Sequence, residues 1–174
     1  MKSSNKTSKK ANDITMENYQ QSIAEMADIL HQASSLYMSA NIPIDYGTGE
    51  KYTPVEVHML KYIVDHPGKT VTDLSLEWDK TKAAISQMAK KMEQKGLICK
   101  KTAPDSFKKQ LYYATPKGME LNEVHSKYDS YIFGKTIDLL KESCSEDEIN
   151  LCFHVLKEYN KARRKKHYRS SPSQ

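Results

Sequence analysis

Residues 70–114 order their signals in a way that few folds accept. Two short helical patterns come first, separated by a break at Trp78-Asp79-Lys80. Val71 suits a short extended stretch, and Thr72 can cap a helix of under three turns with Leu74 inward. Thr81 caps the next helix. Its Ile85, Met88, Ala89 and Met92 recur at spacings of three and four and face inward, while Lys82, Ser86, Lys90 and Ala83, Gln87, Lys91 face outward. Trp78 packs at the end of the preceding helix. Gly96 stands where a left-handed helix stop belongs. LICKK (97–101) and QLYYA (110–114) then read as an antiparallel pair, with TAPDSFKK as a lysine-tipped connection.

A helix, a tight break, a second helix and a two-stranded ribbon make the pattern of a winged helix-turn-helix. The flanks are helical. Met16, Tyr19, Ile23, Met26/Ala27, Leu30, Ala33/Ser34 and Tyr37 form one apolar face, ending near Ala40. Pro43 and DYGTG (45–49) signal a loop. Thr53-Pro54-Val55-Glu56 is a capping box with Pro at the first helical position. Val57, Leu60 and Val64 are that helix's inner face, and His66-Pro67-Gly68 stops it. Thr115-Pro116 opens a long helix with Met119, Val124, Tyr128, Tyr131/Ile132 and Leu139 inward. Ser145 to Glu148 is a second capping box, and Ile149, Cys152/Phe153, Leu156 and Tyr159 mark the last helix. The expected fold is mainly α with a small β wing. Six glycines and six prolines disfavour a turn-rich all-β chain.

Charge is distributed unevenly. The formal net charge is +5. Four lysines lie in residues 1–12 and six Lys or Arg in KARRKKHYR (161–169), neither with an acid, which leaves 17 basic against 22 acidic residues. Within that body, residues 80–109 hold nine lysines against Glu93 and Asp105, a net +7. A positive island in a negative body is the footprint of an anionic partner. The KARRKKHYR run is read first as a helix end whose cations suit the dipole, second as a further phosphate contact.

No run approaches the roughly 20 apolar residues of a membrane span. The basic start lacks the apolar core of a secretory signal, so the expected compartment is the cytoplasm and no membrane partner is expected. Cys99, Cys144 and Cys152 are read as packing groups, with Cys99 a candidate redox thiol beside Lys100 and Lys101. His31, His58, His66, His125, His154 and His167 never fall at the i, i+4 spacing of a helical metal pair, although a fold can bring His125 and His154 together. No nucleophile elbow, phosphate loop or dinucleotide fingerprint is present. No catalytic residues, bound metal or cofactor are therefore expected, and the chain is not expected to be an enzyme.

The helix from Thr81 meets what base reading requires: small and hydrogen-bonding groups for base edges, flanked by cations for phosphates. YTPVEVHMLKYI, KTVTDLSLEWDKTKAAISQMAKKMEQKGLICK and LYYATPKGMEL, in that order and spacing, resemble the MarR (multiple antibiotic resistance regulator) family of winged helix-turn-helix transcription factors. The resemblance runs from about Tyr52 to Glu120. It implies a homodimeric, sequence-specific regulator of double-stranded DNA, most simply a ligand-responsive repressor on a palindromic operator. Residues 1–12, polar, rich in Lys and Ser and without apolar periodicity, are expected to be a basic tail without regular structure, followed by one domain (13–168). Residues 13–45 and 116–168 would be dimerisation helices, 52–115 the DNA-binding lobe and 169–174 a loose tail. DNA contacts are expected from Lys80, Thr81, Lys82, Ala83, Ser86, Gln87, Lys90, Lys91, Lys108 and Lys109. A small-molecule effector would bind near Tyr37, His58 and Tyr62, residues that equally suit packing at the dimer base.

Two departures stand out. Asp79 and Lys80 replace the family's usual Gly and apolar residue in the turn. Ser106 and Lys108 replace the wing's usual Asp-x-Arg, and lysine lacks arginine's fork. The alternative to DNA reading is a winged-helix module whose lysines meet an acidic protein.

Overall fold

The computed structural model describes residues 4–39 and 42–170, with side chains described for 18–39, 42–106 and 108–164. The chain divides into two compact units, Met1–Ile42 and Pro43–Gln174.

The first unit is one helix, α1 (Ser4–Ser39). It begins upstream of the apolar periodicity, so residues 4–12, expected as a tail, are helical. No Gly or Pro interrupts residues 1–39, and Lys and Ala propagate a helix well. Its apolar face is displayed: Tyr19, Ile23, Met26 and Tyr37 are all exposed, and among the described residues of that row only Leu30 is half-buried.

The second unit opens with a hairpin that the loop signals concealed, β1 (Ile44–Asp45) paired antiparallel with β2 (Lys51–Tyr52). The Asp45 carboxylate closes its turn by accepting from the backbone N–H groups of Gly47, Thr48 and Gly49. Tyr46 and Tyr52 drop into the core. α2 (Pro54–Asp65) follows. Its capping box is present: Thr53 Oγ1 accepts from Glu56 N–H, and the Glu56 carboxylate accepts from Thr53 N–H at 2.8 Å. Such a cap contributes about 1 kcal/mol. Val57, Met59, Leu60 and Ile63 are buried.

α3 (Val71–Glu77) starts earlier than expected. Thr70, not Thr72, is its cap, because Asp73 lies three residues on and completes a second capping box at 2.8 Å. Val71 is therefore helical, and the extended contact falls to Lys69, bridged to Tyr112. α4 (Lys82–Gln94) packs Ile85, Ala89 and Met92 into the core, with Met88 and Trp78 against its edge. Gly96, at φ 71°, ends it: Gly96 N–H donates to Glu93 O and Leu97 N–H to Met92 O, both at 2.9 Å.

β3 (Ile98–Ala103) and β4 (Ser106–Ala114) pair antiparallel. Both strands reach further toward the tip than expected, leaving only Pro104-Asp105 to connect them. Register runs regularly from Ile98↔Ala114 to Thr102↔Gln110, then jumps to Ala103↔Ser106, so residues 107–109 bulge from the wing.

α5 (Pro116–Leu140) is capped by Thr115. Gly118 makes the junction possible. A Cβ there would sit 2.1 Å from the Leu97 carbonyl oxygen and 3.1 Å from Leu60 Cδ1. The buried row on α5 is Gly118, Leu121 and His125, with Val124 and Tyr128 half-buried. Met119 is thus exposed rather than inward, since the close approach at Gly118 fixes the helix's rotation. Tyr131, Ile132 and Leu139 are exposed too. α6 (Glu146–Ser170) begins with the expected box, Ser145 N–H donating to the Glu148 carboxylate at 2.8 Å. Ile149 is buried, but Cys152, Phe153, Leu156 and Tyr159 are exposed, so Cys152 is not a packing group within this chain. α6 continues through residues 169–170, expected as tail; residues 171–174 lie outside the described residues. Among the described residues no helix is long and apolar enough to cross a membrane.

Candidate nucleic-acid interface

The break before α4 forms without glycine. Asp79 takes φ 47°, a left-handed conformation that Asp tolerates better than most residues. Lys80 N–H then donates to Ser75 O at 3.1 Å, closing α3 as a Schellman turn does. Thr81 Oγ1 accepts from Ala84 N–H at 3.2 Å and starts α4. The apolar stripe of α4 is held in the core, so the opposite face must point to solvent. Lys80, Thr81, Lys82, Ala83, Ser86, Gln87, Lys90 and Lys91 are all exposed, as are Lys108 and Lys109 on the wing.

The nine lysines of residues 80–109 divide by role. Lys95 bonds Glu56 at 2.8 Å and Lys100 bonds Glu93 at 2.6 Å. Lys101 lies 4.8 Å from the Tyr113 ring centroid, and Lys109 stands 4.0 Å from Asp105. Among the described residues, Lys80, Lys82, Lys90, Lys91 and Lys108 have no ion-pair partner. The positive island therefore retains five uncommitted cations around an exposed Ala83-Ser86-Gln87 surface.

A groove of about 540 Å³ runs between the start of α3, the outer face of α4 and the wing. Thr70, Thr72, Ser86, Lys100, Lys108 and Gln110 are among the residues that line it. Thr70, Thr72, Lys100 and Gln110 were not among the candidates read from the sequence. Thr70 carried a signal in its capping box with Asp73; the others enter only because the hairpin folds over α3. The Asp73 carboxyl is held below its usual range by the Thr70 backbone N–H and hydroxyl, and the Lys100 ammonium is raised by its bond to Glu93.

The model of the MarR family matches residues 51–106, which span α2, α3, α4, β3 and the wing tip. Residues 51–106 are therefore similar to the winged-helix lobe of that family. The family is one of transcription regulators. Two curated relatives align over part of the chain. A putative transcriptional regulatory protein for the hcr operon of Thauera aromatica is 30% identical over 73 residues, 42% of this chain and 44% of the relative. An uncharacterized HTH-type transcriptional regulator, YhjH of Bacillus subtilis, is 25% identical over 87 residues, 50% of each chain. The chain thus spans about half the length of the curated relatives it matches. Among solved structures, FabT of Streptococcus pneumoniae in complex with DNA is similar in fold, with a TM-score of 0.58 and 19% identity over 82% of this chain and 95% of that one.

The residues expected around an effector fall in both compact units. Tyr37 lies on α1, in the other compact unit, and is exposed. His58 and Tyr62 are half-buried, one turn apart on α2. Tyr62 stacks on His66 at 4.4 Å between ring centroids. His58 instead meets His125 of α5 edge-on at 4.9 Å, so the histidine brought to His125 is His58 rather than His154, which is exposed. Burial pushes the His125 imidazole below its ordinary pKa, against the opposing pull of Asp129. Cys99 and Cys144 are half-buried. From KARRKKHYR, Arg164 pairs with Glu77 of α3 at 2.8 Å; the side chains of residues 165–169 lie outside those described.

Proposed function

We propose that the chain is a sequence-specific, double-stranded DNA-binding transcriptional regulator that acts as a homodimer, most simply a repressor responsive to an effector. α4 enters the major groove, with Ala83, Ser86 and Gln87 toward base edges and Gln87 suited to pair bidentately with adenine. Lys80, Lys82, Lys90, Lys91 and Lys108 neutralise phosphates, while Thr81 and Lys109 support the two ends of the contact. The observation that carries this reading is the set of five lysines without an acidic partner, arranged around small and amide-bearing side chains on one exposed helix face.

The dimer is supported by what the single chain leaves uncovered. Ile23 and Met26 on α1, Ile132 and Leu139 on α5, and Leu151 and Val155 on α6 are 44–66% exposed. Apolar rows of this extent mark an association surface. A two-fold dimer would set its α4 helices against half-sites about one helical turn apart.

A salt titration tests the reading. Five lysines per protomer give about ten neutralised phosphates, so log K against log salt concentration should fall with a slope near about −9. A slope shallower than about −3, with equal affinity for a palindrome and for random duplex, contradicts it.

A further inference from the structure

The basic run of α6 meets the turn that sets α4. Lys161, Arg163, Arg164, Lys165, Lys166 and Arg169 follow one another on this helix, with no acid among residues 159–170. Arg164 pairs at 2.8 Å with Glu77, the last residue of α3. A cation there also suits the negative end of the α3 dipole. Beside the pair lies a crevice of about 290 Å³, lined by Asp79 from the turn and by Tyr159, Asn160, Arg163 and Arg164 from α6. Asp79 is followed at once by Lys80, and consecutive Cα atoms stand about 3.8 Å apart. The run is therefore held beside the start of α4.

Two arguments separate this run from an ordinary helix end. The dipole of a helix favours cations only within its last turn. α6 ends at Ser170, so Lys161, Arg163, Arg164 and Lys165 lie more than a turn upstream. Like charges three or four residues apart also repel along a helix, as at Lys161 and Lys165, Arg163 and Lys166, and Lys165 and Arg169. Lys161 has Glu158 at 2.6 Å and Arg164 has Glu77, but Arg163 is exposed and has no ion-pair partner among the described residues. A bound anion relieves that repulsion.

We propose that the basic end of α6 is a second phosphate-contact surface, taking the DNA backbone beside the groove that α4 enters. Arg164 anchors it through Glu77. Arg163, with Lys165 and Lys166 after it, neutralises phosphates, and the guanidinium fork suits a phosphate in particular. Phosphate contacts carry no base information, so this surface adds affinity for every duplex alike. The inference rests on the DNA-binding reading and extends it to a helix outside residues 51–106.

The test is salt titration of the full chain on the duplex enriched by in vitro selection and on a random duplex. The α4 and wing lysines alone supply a slope near about −9, and the wild type should be steeper. Arg163→Gln, Lys165→Gln and Lys166→Gln together remove three cations per protomer. They should make the slope shallower by about 2 to 5 and weaken both duplexes by the same factor, with circular dichroism and sedimentation unchanged. Arg163→Gln alone, at an exposed position that spares the fold, should account for about 2 of that change. Lys135→Gln, Lys141→Gln and Lys157→Gln together remove as much charge from exposed positions that do not line the crevice, and should leave the slope as it is. The proposal is overturned if the first triple variant shifts the slope by less than about 2, or if the second triple variant shifts it as much. If the wild type binds no duplex, the DNA-binding reading falls with it. If the wild type prefers the selected duplex and the first triple variant binds as it does, this proposal falls alone.

Discussion

At the scale of single residues, the molecule separates positions set by packing from positions set by a partner. Gly118 belongs to the first kind. Its missing side chain lets the start of α5 rest on the Leu97 carbonyl, and any Cβ must push backbone apart. Gly118→Ala should cost about 3 kcal/mol or more, read as a lowered denaturation midpoint; an unchanged midpoint would mean that α5 can rotate away freely. On the proposed DNA-binding reading, Gln87 and Lys108 belong to the second kind. Replacing Gln87 by Ala should relax base preference at one position by about 1–3 kcal/mol. Replacing Lys108 by Ala should weaken binding to every sequence and reduce the salt slope by about 1. Equal effects of both on all sequences would remove the division of roles. The outward face of α4 was legible in the sequence because a helix's period assigns faces without tertiary knowledge. The cluster of His58 and His125 was not legible, because 67 residues separate them and only the docking of α2 on α5 joins them.

At the scale of elements, local chemistry decides where helices begin. Glu56, Asp73 and Glu148 each accept the backbone N–H of the residue that caps their helix, and each carboxyl is held below its usual range. For Glu56 the largest single influence, burial, acts upward, and the Lys95 ammonium with the Thr53 N–H outweighs it. A lowered folded pKa contributes stability above the unfolded value of about 4 and loses it as pH falls through the folded one. Chemical denaturation should therefore show stability declining below about pH 4, and Glu56→Gln should flatten part of that decline; an unaltered profile would assign the loss to other groups. Thr53, Thr81, Thr115 and Ser145 were readable as caps because their signals are local. Thr72 was misread because Thr70 offers the same hydroxyl with Asp73 at the right spacing. The β1–β2 hairpin was missed because two-residue strands carry no period. The wing's strands were drawn short because lysines obscure alternation.

At the scale of the whole molecule, the apolar rows of α1, α5 and α6 were predicted inward and are exposed in the single chain. Sequence periodicity names an apolar face but cannot say whether the surface that covers it belongs to the same copy. Sedimentation should give about twice the 20.0 kDa chain mass, and charging the middle of the row with Ile132→Glu should shift it to one; a wild-type monomer at micromolar concentration would favour a winged-helix module for an acidic protein partner. The central claim is that two α4 helices read DNA as a pair. In vitro selection from a random duplex library tests it most directly. Enrichment of a palindrome with half-site centres about one helical turn apart, lost with Gln87→Ala, is the predicted result; a pool that remains random after repeated rounds would contradict it.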